Sequence, residues 1–223
     1  MRLGAHISIA GGAYKAFGRA RDETCDSMLI FTKSNRQWAA KPFTDDDITH
    51  YKNAAAEFAD LKPVSVHAAY LINVASPDPA LWEKSYQALK DEVERAGALG
   101  ADFITFHPGS YMTSSEQEGL DAIARAMRRL LAETADSAPD TVICLETMAG
   151  QGTNLGGKFE HLAYIIDKAG PSPLAIAPPF RDLHKRYPIE SLEEAFAEGV
   201  STGHPTMPEF RLEPDQIGNL IAF

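Results

Sequence analysis

Three stretches decide the fold: 63-PVSVHAAYLIN-73, 102-DFITFHPGS-110 and 141-TVICLETMAGQG-152. Each begins with a short apolar segment rich in β-branched or aromatic residues, which predicts a buried strand. The segments begin near residues 64, 103 and 142, so they recur every 38 to 39 residues. That period is long enough for a strand, a helix and two loops, and it predicts parallel βαβ units.

The same alternation extends outward to the first residues and to about residue 170. Strands are expected at 3–9, 27–31, 64–67, 103–107 and 142–146. Helices are expected at 13–21, 45–58, 79–99, 116–134 and 159–168. Pro79 suits a first helical turn, Gly100 suits a helix end, and Ser114 or Ser115 suits an N-cap. The pattern predicts an α/β fold of TIM-barrel type with about five βα units.

The pattern breaks near Gly170. Residues 171–188, PSPLAIAPPFRDLHKRYP, are rich in proline and contain no long βα unit. A closed barrel typically needs ~250 residues, whereas the chain has 223. We therefore expect an incomplete barrel over residues 1–170 and a short helical tail over 171–223. Such a sheet would expose an unpaired edge and an apolar inner face, which favours self-association.

Composition is that of an ordinary globular protein, with 44% hydrophobic and 23% charged residues. No apolar run approaches the ~18 residues of a membrane span, and the first residues lack the features of a signal peptide. Cys25 and Cys144 form no CxxC pair, which suits a reducing cytoplasm. Cys144 lies inside a predicted strand, which indicates packing rather than nucleophilic chemistry. The net charge of −10 argues against a general nucleic-acid coat but leaves room for an enzyme with a metal-loaded groove.

Three candidate metal ligands lie at the ends of the strands predicted at 64–67, 103–107 and 142–146. They are His67, His107 and Glu146. The carboxyl ends of parallel strands form the active-site face of a barrel, so these side chains are expected at one mouth. Two imidazoles and a carboxylate suit zinc and leave positions for water or a second metal. His6, at the end of the first strand, could lie at the same mouth. Each residue alone is more often a hydrogen-bonded loop or capping residue, so the prediction depends on the set.

A polar loop follows the second strand. Its side chains Lys33, Asn35, Arg36 and Gln37 could hold phosphates by charge-assisted hydrogen bonds, or could simply be solvated. Tyr70 lies three residues after a candidate ligand. It could stack on a nucleic-acid base or be an ordinary, partly buried packing residue.

Five motifs, in order, resemble those of endonuclease IV: GAHISIAGG (4–12), FTKSNRQW (31–38), HAAYLINVASP (67–77), FHPGS (106–110) and ETMAGQGTNLGGKFEHL (146–162). That family consists of zinc-dependent apurinic/apyrimidinic endonucleases of base excision repair, built on a TIM barrel. The resemblance covers residues 1–168. It implies hydrolysis of the phosphodiester 5′ to an abasic site in DNA by a cytoplasmic enzyme, with no membrane and no obligate protein partner.

The resemblance also implies roles for six residues. His67 and His107 would bind one zinc, and Glu146 would bridge it to a second and act in catalysis. The positions that enter damaged DNA and hold the abasic site open correspond here to Arg36, Gln37 and Tyr70. The family completes a cluster of up to three zinc ions with residues from further strands, which the segment after Asp167 does not contain. Only the first zinc site is therefore expected whole, and we expect weak or no incision by this chain.

The tail has a resemblance of its own, to the C-terminal half of a class I cytochrome c. Met207, in a Met-Pro context, matches an axial haem ligand of that family. The haem-attaching CxxCH is missing from the sequence, so no haem is expected. The simplest interpretation is a join between two unrelated coding fragments near residues 168–173, and the alternative is a divergent native C-terminus.

Two other functions compete with the endonuclease interpretation. Sugar-isomerase-like TIM-barrel enzymes also place His and Glu ligands at strand ends, although the FTKSNRQW and AGQGTNLG motifs argue against them. A non-catalytic protein, either an inert fusion or an electron-carrier remnant, is the third interpretation. Metal content, activity on abasic DNA and haem absorbance distinguish the three.

Overall fold

The computed structural model describes residues 2–170, and every structural statement below concerns that part of the chain. Strands β1 to β5 are Gly4–His6, Ser27–Ile30, Val64–His67, Phe103–Phe106 and Val142–Leu145. Helices α1 to α5 are Lys15–Asp22, Asp45–Glu57, Pro79–Leu99, Glu116–Thr134 and Phe159–Ala169. The expected tail helices and Met207 lie outside the described residues, as does the part of the expected join, near residues 168–173, that follows residue 170.

Strands and helices alternate strictly, as the sequence predicts. The largest difference is β1, which covers three residues rather than the seven expected. Its ladder with β2 ends where His6 pairs with Leu29. Beyond that point the chain turns, because the Gly12 amide donates to the Ile9 carbonyl at 3.0 Å. The segment that looks like the second half of a strand is therefore the first βα loop.

The five strands form one parallel sheet in the order β1-β2-β3-β4-β5. Ser65 pairs with Phe103, and Phe103 pairs with Val142. These register offsets, 38 (103 − 65) and 39 (142 − 103), match the repeat in the sequence. Because the strands are parallel neighbours, their carboxyl ends all meet along one edge of the sheet. This is the βα repeat of a TIM barrel, represented in the described residues by five units.

Side chains on the helix-facing side of the sheet form the core. Its central members are buried and apolar: Met28, Ile30, Val66, Ile104 and Phe106. The opposite face lines a concavity of about 630 Å³. There Ser65 and Thr105 lie beside Phe103. The inner face is thus largely apolar, as expected, and the short polar side chains of Ser65 and Thr105 interrupt it.

Local capping fixes where the helices begin and end. The Thr44 side chain accepts from the Asp47 amide at α2, and Ser115 accepts from Glu118 at α4, each within a reciprocal capping box. Ser115, not Ser114, is therefore the N-cap of α4. Gly100 ends α3 in the left-handed region at φ 72°. Among the described residues, no helix is long and apolar enough to cross a membrane.

Candidate metal centre

The three predicted ligands converge at the carboxyl edge of the sheet. His67 ends β3, while His107 and Glu146 directly follow β4 and β5. One ligand atom from each residue lies within 4.8 Å of the other two. Glu146 Oε2 is 2.9 Å from His67 Nε2 and 3.4 Å from His107 Nε2. Ligand atoms bonded to one tetrahedral zinc at 2.0–2.1 Å are about 3.3 Å apart, so the two Glu146 distances are close to those that one zinc ion would require.

The hydrogen bonds of His67 also fit a cation at this point. Its Nδ1 lies 2.6 Å from the Ala68 carbonyl oxygen, while its Nε2 faces Glu146 Oε2. Both ring nitrogens thus face oxygen atoms. A metal ion bound at Nε2 would also meet the carboxylate, and the Ala68 carbonyl would then hold the ring through Nδ1, as outer partners of metal-bound histidines do.

Desolvation lowers the pKa of two histidines at this edge of the sheet, His107 and His6. Desolvation lowers the pKa of His107, an effect that the Glu146 carboxylate partly opposes. Desolvation likewise lowers the pKa of His6, and the neighbouring His67 lowers it further. Neutral imidazole is the form that binds metals. The His6 ring centroid is 6.0 Å from that of His67, so His6 lies at the same mouth but outside the donor set.

Aromatic rings surround the donor set. Tyr70 is 51% exposed. Its ring stacks on His107 with centroids 5.5 Å apart and meets the edge of His67 at 5.2 Å. Phe31, the residue after β2, lies 5.4 Å from His67. Sequence reasoning missed Phe31, although its position after a strand, equivalent to that of His107 after β4, was the available signal.

The predicted DNA-facing residues lie on neighbouring loops. Arg36 and Gln37 are exposed in a turn in which the Gln37 amide donates to the Ser34 carbonyl at 3.1 Å. The Tyr70 amide donates to the Asn35 carbonyl at 3.2 Å. This bond joins the loop after β2 to the loop after β3. The structure therefore brings the loop of Arg36 and Gln37 beside Tyr70.

Lys33 does not serve the phosphate-binding role considered for it. Its side chain is buried, and Nζ lies 2.6 Å from an Asp91 oxygen and 3.4 Å from a Glu92 oxygen. An ammonium group enclosed by two carboxylates has no free face for a phosphate. Neither interpretation left open for Lys33, phosphate binding or a solvated loop, is correct, because both of its partners come from α3, about sixty residues further along the chain.

Hydrogen bonds that sequence reasoning missed join the three loops that follow β3, β4 and β5. Asn73 Oδ1 accepts from the Ser110 amide at 2.9 Å, and Asn73 Nδ2 donates to the Ser110 carbonyl at 3.0 Å. The Ser110 hydroxyl lies 2.6 Å from that of Thr153. These three residues belong to the loops after β3, β4 and β5. No spacing rule reveals this contact, because an asparagine side chain here pairs with backbone.

Fold and site together define a TIM-barrel-type protein with a metal-donor set at the carboxyl edge of its sheet. Comparison with known proteins agrees: residues 17–202 match the model of the xylose isomerase-like TIM barrel family. The chain belongs to that family. The match extends past residue 170, where the βα pattern of the sequence stops.

Individual relatives make the resemblance more specific than the family model does. A probable endonuclease 4 of Chloroflexus aurantiacus is 45% identical over 166 residues, 74% of this chain and 57% of that one. A probable endonuclease 4 of Halothermothrix orenii is 38% identical over 168 residues, 75% of this chain and 59% of that one. The chain thus resembles endonuclease IV, as its motifs predict. It spans less than two thirds of the length of these curated relatives.

Solved structures agree on the fold. The crystal structure of endonuclease IV from Thermus thermophilus superposes with a TM-score of 0.63 at 31% identity, covering 74% of this chain and 59% of that chain. A D-tagatose 3-epimerase-like protein superposes with a TM-score of 0.58 at 19% identity, covering 74% and 60%. At that identity the epimerase-like protein supports the fold alone.

Proposed function

We propose that this chain carries the first zinc site and the DNA-facing loops of an apurinic/apyrimidinic endonuclease, which hydrolyses the phosphodiester 5′ to abasic sites in cytoplasmic base excision repair. The observation that carries the proposal is the convergence of His67, His107 and Glu146 at one edge of the sheet. The likeness to relatives named endonuclease 4 supports it.

In this proposal the chain's own residues hold and orient the ion. His67 would bind through Nε2, with Nδ1–H donating to the Ala68 carbonyl. His107 would bind through Nε2, and Glu146 would bridge to a second ion. Zinc, when bound, brings the pKa of a coordinated water near neutrality and stabilises charge on the phosphate. It would also offset the acidity of the chain, which has a net charge of −10.

Recognition of damaged DNA is assigned to Arg36, Gln37 and Tyr70. The exposed half of the Tyr70 ring could stack on a base, while Arg36 and Gln37 reach into the duplex from the adjacent loop. Unstacking a nucleotide costs a few kcal/mol and costs least where pairing is already lost. This difference would favour abasic sites over intact DNA.

Zinc content and DNA incision test the proposal. The full chain is loaded with zinc, dialysed and analysed for metal, beside His67→Ala and the control His50→Ala, an exposed histidine on α2. We expect retained zinc in the parent and in His50→Ala, and loss in His67→Ala. Equal zinc content in all three, or none in the parent, would refute the site.

The substrate is tested by incubation with a duplex containing one abasic site, the matched intact duplex, and a panel of aldoses and ketoses. Binding that prefers the abasic duplex, with slow or no incision, is expected. Epimerisation of a sugar without preference for abasic DNA would favour the sugar-isomerase alternative instead. Incision as fast as that by a complete relative would contradict the expectation of weak activity.

The prediction for the tail, residues 171–223, is tested independently of the endonuclease proposal. If residues 171–223 descend from a cytochrome c without its attachment motif, the chain expressed with haem should show no Soret band. A Soret band that Met207→Ala abolishes would contradict the expectation that no haem binds.

A further inference from the structure

A group of polar and charged side chains, buried except for Asp91, lies beneath the two DNA-facing loops. We call it the Glu92 cluster; its members are Thr32, Lys33, Asp91, Glu92 and Arg95. Glu92 is 1% exposed and Arg95 6%. Buried charges cost several kcal/mol unless they are paired and hydrogen-bonded. The proposed metal site does not use these side chains, so metal binding does not explain why they lie in the core.

The Glu92 carboxylate joins two loops. Oε2 accepts from the Thr32 hydroxyl at 2.6 Å, and Oε1 accepts from the Ala69 amide at 3.2 Å. Thr32 belongs to the loop after β2, and Ala69 directly precedes Tyr70 in the loop after β3. A single side chain of α3 thus fixes one loop relative to the other.

Arg95, three residues further along α3, holds both ends of the first loop. Its guanidinium donates to the Thr32 carbonyl at 2.7 Å and to the Lys41 carbonyl at 2.9 Å. Arg36 and Gln37 lie between these two anchors. The loop is therefore held at its ends and exposed in its middle, which is the arrangement expected of a rigid support beneath a binding surface.

We propose that Glu92 is a positioning residue: it sets the loop of Arg36 and Gln37 against Tyr70, and thereby sets the preference for abasic over intact DNA. This inference rests on the proposed function. Glu92 reaches the loop of His67 through the backbone amide of Ala69 and does not contact His67 itself, so we expect it to act on loop placement and not on zinc binding.

The main test compares Glu92→Gln with Glu83→Gln in the full chain. Glu83 lies on the same helix, where its exposed carboxylate pairs with Arg129 at 2.8 Å. Binding is measured by fluorescence anisotropy with a duplex carrying a tetrahydrofuran abasic analogue and with the intact duplex. Losing a charge-assisted hydrogen bond should weaken the preference for the abasic duplex about tenfold in Glu92→Gln. Zinc content and intact-duplex binding should stay unchanged, and Glu83→Gln should match the parent.

A second readout reports the loop without DNA. Trp38 and Trp82 are the two tryptophans of the chain, so Trp82→Phe leaves Trp38, within the first loop, as the sole emitter. Acrylamide should quench Trp38 more strongly in Glu92→Gln than in the parent or in Glu83→Gln. If the parent shows no preference for abasic DNA, the proposed function fails, and quenching still decides whether Glu92 fixes the loop.

Unchanged DNA preference together with unchanged quenching in Glu92→Gln would overturn the inference. A loss of zinc in that variant would also overturn it, because the effect would then lie in the metal site. Should Glu92→Gln fail to fold, Thr32→Val removes the hydroxyl donor, and Thr32→Ser restores it. The inference then requires weaker preference and stronger quenching in the valine variant, with both returning to parent values in the serine variant.

Discussion

Substitution of Gly109 by alanine tests the Asn73–Ser110 contact that joins the loops after β3 and β4. The substitution affects both the backbone of residue 109 and the Asn73 side chain. Gly109 has φ +108°, a conformation that L side chains rarely adopt. A Cβ built there would lie 2.4 Å from Asn73 Oδ1. That oxygen accepts from the Ser110 amide, so Gly109→Ala must both strain the backbone and displace the Asn73 side chain from Ser110.

The size of the effect follows from these contacts. Holding a non-glycine residue in a sparsely populated backbone region costs about 1–3 kcal/mol. Losing the two Asn73–Ser110 hydrogen bonds costs about 0.5–1.5 kcal/mol each. Gly109→Ala should therefore lower the free energy of unfolding by about 2–6 kcal/mol.

The assay is urea unfolding followed by tryptophan fluorescence, with Gly18→Ala as the matched control. Gly18 lies inside α1, where an added Cβ would meet no atom within 4 Å. Removing a helical glycine should stabilise the chain by about 0.5–1 kcal/mol. The two substitutions should move the unfolding midpoint in opposite directions. A midpoint for Gly109→Ala equal to or above that of the parent would refute the reasoning, since the loops would then tolerate the clash.

Two further predictions concern stability. Ser115→Ala removes the N-cap of α4 and should lower the free energy of unfolding by about 1 kcal/mol. Ser115→Asp can still cap the helix, so its free energy of unfolding should stay near that of the parent. Equal losses in both variants would contradict the capping role. Hydrogen bonds from Arg129 and Lys90 lower the pKa of Glu133 to about 2. A depressed carboxyl pKa stabilises the fold above the unfolded pKa of about 4.5, and this contribution is lost as the pH falls from there towards 2. The unfolding midpoints of the parent and Glu133→Gln should thus differ at pH 6 and converge near pH 2, and a difference independent of pH would exclude this carboxyl as the cause.

Much of this molecule follows from residues close together in sequence. The apolar runs and their 38-to-39-residue period determined the strands, and parallel pairing then required the side chains at the carboxyl ends of β3, β4 and β5 to meet. His67, His107 and Glu146 were found for that reason. Helix ends followed from Pro79 and Gly100, whose backbone preferences act locally.

Sequence reasoning failed where the role of a residue depends on a partner far away in the sequence. Lys33 looks like a loop cation, but its buried side chain pairs with the carboxylates of Asp91 and Glu92 on α3, so it belongs to the core. Asn73 looks like an ordinary loop polar residue, yet it pairs with the backbone of Ser110, 37 residues away. Such contacts depend on three-dimensional packing, which the pattern of residue types does not encode.

Strand order and chain order coincide throughout the sheet. Each βα unit therefore docks on the unit synthesised just before it, so no strand has to wait for a distant partner. The donors emerge from the ribosome in the order His67, His107 and Glu146. The donor set is complete only once β5 lies beside β4. In a nascent chain, a metal ion held by all three candidate donors would therefore be bound only after the fifth strand has docked.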